Sequence, residues 1–142
     1  MLVRLMYASR AESLDTELLS AILKKSREHN PSLGITGVLC ACFDSRIFVQ
    51  VLEGGRPAVS ALYNRIAQDP RHRDVVLLSY EEIGERTFSS WSMGQVNMGR
   101  LNPALLLKYS DKAVLDPYSM PGKASLALFA ELAATASIGA QG

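Results

Sequence analysis

An α+β fold, with two helices on one face of a largely antiparallel sheet, is what this sequence predicts. Three observations carry the expectation: apolar runs that alternate with period two, two segments whose apolar residues recur at helical spacing, and the order in which they follow one another. That order is strand, helix, strand, strand, helix, strand, with one more strand after it.

Leu2 to Ala8 reads as the first strand. Leu14-Asp15-Thr16-Glu17 opens a helix whose apolar positions Leu18, Leu19, Ile22 and Leu23 share a face, and Asn30-Pro31 is expected to end it. Gly34 to Phe43 and Ile47 to Glu53 read as two strands joined by Asp44-Ser45-Arg46, a polar connection of hairpin length. Gly54-Gly55-Arg56-Pro57 stops the third strand and puts a proline where a first helical turn tolerates it. The second helix turns Val59, Leu62, Ile66 and Ala67 toward a core, and Asp69-Pro70 breaks it. Asp74 to Ile83 forms a fourth strand, and a shorter fifth is expected from Trp91 to Val96.

This is the ferredoxin-like βαββαβ arrangement with a fifth strand added. Its first and third strands are central neighbours. Alternation puts Val3, Leu5 and Tyr7 on one face of the first, and Phe48, Gln50 and Leu52 on one face of the third. If those faces coincide, Tyr7 and Gln50 meet under the helices. Gln50 sits within an otherwise apolar run, where burying a carboxamide without partners costs about 1 to 3 kcal/mol. Either a neighbouring group satisfies it or a bound polar ligand does, and the strand alone leaves both readings open.

The chain after Gly99 changes character. Asn102-Pro103 reads as a helix cap and first turn for Ala104 to Tyr109, and a second apolar helix is expected over Ser125 to Ala134. Leu105, Leu106, Leu126, Phe129 and Leu132 supply a cover for the helix-free face of the sheet, while the tail from Ile138 to Gly142 is expected to fray.

The 142 residues suit one core with a short appendage, and 48% hydrophobic content suits a globular chain. Fifteen Lys and Arg against 14 Asp and Glu leave a net charge of +1, which gives no footprint for nucleic acid or an anionic membrane. Met1 to Met6 is interrupted by Arg4 and is too short for a signal core or a spanning helix, so a cytoplasmic location is expected. Cys40 and Cys42, two apart in a strand, read as small buried hydrophobes, and no residues show metal-ligand spacing.

Six stretches together resemble the BLUF family, the blue-light sensors using FAD. They are Tyr7-Ala8-Ser9, His29-Asn30-Pro31, Gly34-Ile35-Thr36-Gly37-Val38-Leu39, Phe48-Val49-Gln50-Val51-Leu52-Glu53-Gly54, Asp69-Pro70-Arg71-His72 and Phe88-Ser89-Ser90-Trp91-Ser92-Met93. The resemblance covers residues 1–97 and implies a photosensory flavin domain there. Residues 98–142 resemble the helical cap and tail of the short members. It further implies FAD as cofactor, with FMN or riboflavin as alternative occupants of the same ring site.

By matched position, Tyr7 is the implied electron and proton donor and Gln50 the relay to the ring. Ile22 and Ile66 would sandwich the ring, Ser26 would line it and Asn30 would bond a ring carbonyl. Asp69 and Arg71, with Arg65, would address the pyrimidine edge, and His29 and His72 would lie nearby. Trp91 and Met93, on the fifth strand, are the implied signalling residues. The family differs at one place: Ala8 stands where a long basic side chain is common. This bears on recovery rate rather than photochemistry, because residue 8 faces away from Tyr7.

The resemblance implies a photoreceptor rather than an enzyme, passing its signal to an unidentified protein partner. The roughly 45 residues beyond the fifth strand are too few for a cyclase domain. The sheet face and terminal helices offer surface for a homodimer. Two other functions fit the same fold. An acylphosphatase-like hydrolase lacks its phosphate loop before the first helix. A colourless ferredoxin-like regulatory or dimerisation module would have Tyr7 and Gln50 satisfy only each other, and colour separates it from a flavoprotein.

Overall fold

The computed structural model describes residues 1–96, 101–135 and 138–139. Its elements are β1 (Leu2–Ala11), α1 (Thr16–Leu33), β2 (Thr36–Cys42), β3 (Ile47–Gly55), α2 (Arg56–Gln68), β4 (His72–Ile83), β5 (Gly94–Val96), α3 (Pro103–Tyr109), α4 (Gly122–Ala134) and β6 (Ile138–Gly139). The strands form one sheet in the order β4-β1-β3-β2-β5-β6. All neighbours are antiparallel except β2 and β5, which run parallel. The expected ferredoxin-like α+β architecture is the one observed.

The caps follow from side-chain chemistry. Asp15 accepts from the Leu18 N–H at 2.8 Å and starts α1. The helix does not end at Asn30-Pro31 but continues to Leu33, with Pro31 inside it. A proline so near the end forfeits one hydrogen bond, and Gly34, at φ 68°, closes the helix instead. The Ile35 N–H bonds Asn30 O at 3.0 Å and the Gly34 N–H bonds Pro31 O at 3.2 Å. Gly34 is therefore a helix cap and β2 begins two residues later than the expected strand. Asn30 in consequence belongs to a helix and is held buried.

The sheet separates two cores. Val3, Leu5, Tyr7, Leu39, Phe48 and Leu52 face α1 and α2, where they meet Leu19, Leu23 and Val59. Met6, Ala8, Val38, Cys40, Val49 and Val51 face the other way, onto Leu106, Leu128, Phe129 and Leu132. Leu105 and Leu126 pack on the edge of this second core, so the expected cover is the one found. Ala67, expected to face inward, is exposed on the outer side of α2.

Two further boundaries differ from expectation. The fifth strand begins at Gly94, so Trp91 and Met93 lie in the irregular segment before it. Ile138, placed in a fraying tail from sequence, is buried and pairs opposite Val96 in β6. The expected division at residues 97 and 98 lies outside the described residues, as do positions 140–142 of that tail. Among the described residues no helix is long and apolar enough to cross a membrane.

Candidate functional site

Tyr7 and Gln50 stand directly opposite each other in the β1–β3 register, on the face under α1 and α2. The Tyr7 hydroxyl donates to Gln50 Oε1 at 2.5 Å, and Gln50 Nε2 donates to Met93 Sδ at 3.3 Å. Gln50 is thus satisfied on both sides, strongly by a phenol and weakly by a thioether. Burial, with the Tyr63 phenol nearby, pushes the Tyr7 pKa far up, so this hydroxyl keeps its proton across the physiological range.

Around this pair α1, α2 and the sheet leave a cleft of about 510 Å³. Every position singled out from sequence as flavin-contacting lines it: Tyr7, Ile22, Ser26, His29, Asn30, Gln50, Arg65, Ile66, Asp69, Arg71 and His72. Helical geometry explains the convergence. Ile22, Ser26, His29 and Leu33 recur along one stripe of α1, and Leu62, Arg65, Ile66 and Asp69 along one stripe of α2 and its cap. Lys25 and Leu33 also line the cleft and were not singled out from sequence. Lys25 is three residues beyond Ile22, so the same stripe could have found it.

The deep end is polar and held from several elements. Asn30 Nδ2 donates to Ser92 O at 2.7 Å, which leaves its second N–H and its carbonyl for another partner. Ser9 Oγ and His72 Nδ1 lie 2.8 Å apart, and the His72 ring stacks at a tilt on Phe48, centroids 5.4 Å apart. Burial lowers the His72 pKa, although Asp69 opposes the shift. At the mouth, Arg71 donates to Asp69 and holds its carboxyl down to about 2, while Asp69 in turn raises Arg71. Lys25, Arg65 and Arg71 give this rim a cationic character.

Trp91 and Met93 point to opposite sides of the sheet. Met93 is fully buried in the cleft-side core with Tyr7, whereas Trp91 packs on the opposite core, its ring 6.5 Å from that of Phe88. The Trp91 Nε1 is buried and has no hydrogen-bond partner among the described residues. Between them the backbone is tied down: Trp91 O accepts from the Gly37 N–H at 3.0 Å, and Met93 O from Arg27 Nε at 3.1 Å. Gly37 must be glycine, because a Cβ there would stand 2.0 Å from Val51 O.

The donor set fits a flavin. Ile22, Leu33, Leu62 and Ile66 supply apolar walls for a flat ring, Gln50 and Asn30 supply amides for its polar edge, and the cationic rim suits phosphate. The volume lies within the range of pockets that hold such ligands, about 300 to 1,000 Å³.

Comparison with known proteins agrees. Residues 2–94 match the BLUF family, described as sensors of blue-light using FAD. The chain is 40% identical over 94 residues to photoactivated adenylate cyclase subunit beta of Euglena longa, covering 65% of this chain and 11% of that protein. It is 41% identical over 90 residues to subunit alpha of the Euglena gracilis cyclase, covering 63% of this chain and 9% of that one. The chain therefore spans about a tenth of the length of these relatives. Among solved structures, BlrB, a BLUF protein in its dark state, superposes with a TM-score of 0.78 at 33% identity, covering 94% of this chain and 96% of BlrB. The photo-activated state of BlsA gives 0.79 at 30% identity, covering 94% and 95%. The two-helix cleft, the Tyr7–Gln50 pair and these likenesses agree: the chain belongs to the BLUF family of blue-light sensors, which bind FAD as their chromophore.

Proposed function

We propose that this chain is a reversible light switch in which the Gln50 carboxamide is the moving part, with FAD held by the cleft residues named above and FMN or riboflavin able to take the same ring site. Bound flavin supplies blue-light absorption and, once excited, an oxidant. Everything else falls to the protein. Tyr7, protonated in darkness, is the electron donor, and Gln50 Oε1 at 2.5 Å is placed to receive the hydroxyl proton that becomes acidic when the electron leaves. Electron and proton both return to Tyr7 after the Gln50 amide has rotated or tautomerised, so that only hydrogen bonds have changed.

The single observation that carries the reading is the two-sided bonding of Gln50. Its oxygen faces a phenol and its nitrogen faces a thioether, which accepts but cannot donate. Rotating the amide by half a turn puts oxygen against sulfur and removes the Met93 contact. Met93 then moves or turns, and the backbone it shares with Trp91 carries the displacement across the sheet to the core under α3 and α4. Asn30, bonded to Ser92 O between them, is placed to sense the same motion.

We assign residues 1–97 to photosensing and 98–142 to a helical cap that presents the signal to a protein partner, in a cytoplasmic homodimer that performs no catalysis itself. The likeness to subunits of photoactivated adenylate cyclases supports a signalling role. Purified protein should be yellow, shift its flavin absorption to the red under blue light and recover in darkness. Colourless protein that takes up no added FAD would refute the reading and favour the regulatory module.

A further inference from the structure

Glu53 follows Gln50 by three residues on β3 and so points to the opposite face, where its carboxylate is wholly buried. A charge in such a place is kept only if it is paired and hydrogen-bonded. Glu53 Oε2 accepts from Arg4 Nε at 2.8 Å and from the Thr87 N–H at 2.9 Å, and Oε1 accepts from the Phe88 N–H at 2.7 Å. Arg4 spends its other N–H groups on Glu81 Oε1 at 2.8 Å and Thr87 Oγ1 at 2.6 Å. Arg86, next in the same segment, donates to Thr36 Oγ1 at 2.9 Å and to Gly34 O at 2.7 Å. Residues 86–88 are thereby fastened to β3 through Glu53, to β1 through Arg4, to β2 through Thr36 and to the Gly34 cap of α1.

The segment so fastened is the one that ends in Trp91, Ser92 and Met93. It lacks regular structure between β4 and β5, so its stiffness comes from these bonds and from the buried Phe88 ring. A slack segment would absorb a displacement at Met93 Sδ by bending within itself. We infer that Glu53, with Arg4 and Arg86, is a positioning clamp: it fixes residues 86–88 so that losing the Gln50–Met93 contact displaces Trp91 instead of relaxing inside the loop. This rests on the switch proposed above.

Trp91 is the single tryptophan of the chain, so tryptophan fluorescence reports it directly. In the flavin-loaded full chain the red shift of the flavin and the light-induced change of Trp91 fluorescence are measured together, for the natural sequence, Glu53→Gln and Arg86→Met. Expected is a red shift retained in both variants with a Trp91 response several-fold smaller, and faster amide exchange at Thr87 and Phe88 in darkness. A merely structural role would lower the melting temperature and leave the ratio of the two light responses unaltered. An unaltered ratio in every variant that folds overturns the clamp. If Glu53→Gln does not fold, Arg86→Met, which leaves the buried carboxylate its three partners, decides alone. A natural chain with no red shift overturns the switch, and the clamp with it. That outcome is distinct from a normal shift with an unaltered ratio.

Discussion

The two faces of the sheet are built from the same alternating strands and end up as opposites. Under α3 and α4 the middle of β1, β2 and β3 presents Met6, Ala8, Val38, Cys40, Val49 and Val51, closed over by Phe129, Leu128 and Leu132, and the buried Glu53 carboxylate with Arg4 lies toward the strand ends. Under α1 and α2 the same strands present Tyr7 and Gln50, and the helices stand apart to leave a cleft of about 510 Å³. A close-packed face has few arrangements open to it and passes on displacement, whereas an amide held on one side only by a thioether can exchange that weak bond at small cost. In the switch proposed above, reception and transmission are divided by the thickness of one sheet, and the segment before β5 joins the two faces by sending Met93 to one side and Trp91 to the other.

The largest expected effect breaks this division at its receiving side. Gln50→Leu keeps the apolar volume of the floor and removes both the acceptor for Tyr7 and the donor to Met93. Flavin binding should survive and the reversible red shift should vanish entirely. Tyr7→Phe should do the same through loss of the electron donor. Absorption spectra before and after illumination decide it, and a normal photocycle in Tyr7→Phe would remove Tyr7 from its role.

Next in size is the transmitting face. Phe129→Ala deletes a fully buried ring from the closed core and should cost about 3 to 5 kcal/mol of stability. Ile66→Ala, on the wall of the cleft, removes a half-buried side chain that already borders open space, and should cost about 1 kcal/mol or less in the flavin-free protein. Denaturant unfolding of the two variants measures the contrast. Equal losses would mean that the cleft face is packed as tightly as the other.

Most of this contrast was legible in the sequence, because strand alternation is strict. Alternation put Tyr7 and Gln50 on one face each, and the observed β1–β3 register makes those faces coincide, while the cleft residues were legible through the family resemblance. What escaped lies where no period operates. Pro31 suggested a helix end, but the αL position that closes a helix is a matter of Gly34 three residues on, and a proline in a last turn forfeits little. The segment from Gly84 to Met93 has no repeat, so nothing in it said that Trp91 and Met93 would part company. Nor did Glu53 at a strand end announce a buried carboxylate, since its partners Arg4, Thr87 and Phe88 are distant in the chain.

The smallest expected effect sharpens the comparison at the cleft, where the half-buried His72 ring titrates near neutral pH, whereas the phenols of Tyr109 and Tyr118 on the other core have raised pKa values and stay neutral there. Burial disfavours the charged form of His72, so its pKa in the folded chain lies below the ordinary 6.5. The folded chain then binds fewer protons than the unfolded one between the two values. Its stability from this residue is full above pH 6.5 and declines as pH falls through the folded pKa. Because Nδ1 is engaged with Ser9 Oγ, protonation also forbids the arrangement in which the serine donates to the ring. Unfolding measured from pH 7.5 to 5 should therefore show a fall in the natural chain that is reduced in His72→Gln. Flavin absorption should follow the same fall, because His72 lines the cleft, while the environment of Trp91 on the far face should stay constant. A Trp91 signal that moved with the acid fall while the flavin signal held would place the titrating group on the transmitting side and dissolve the distinction between the two faces.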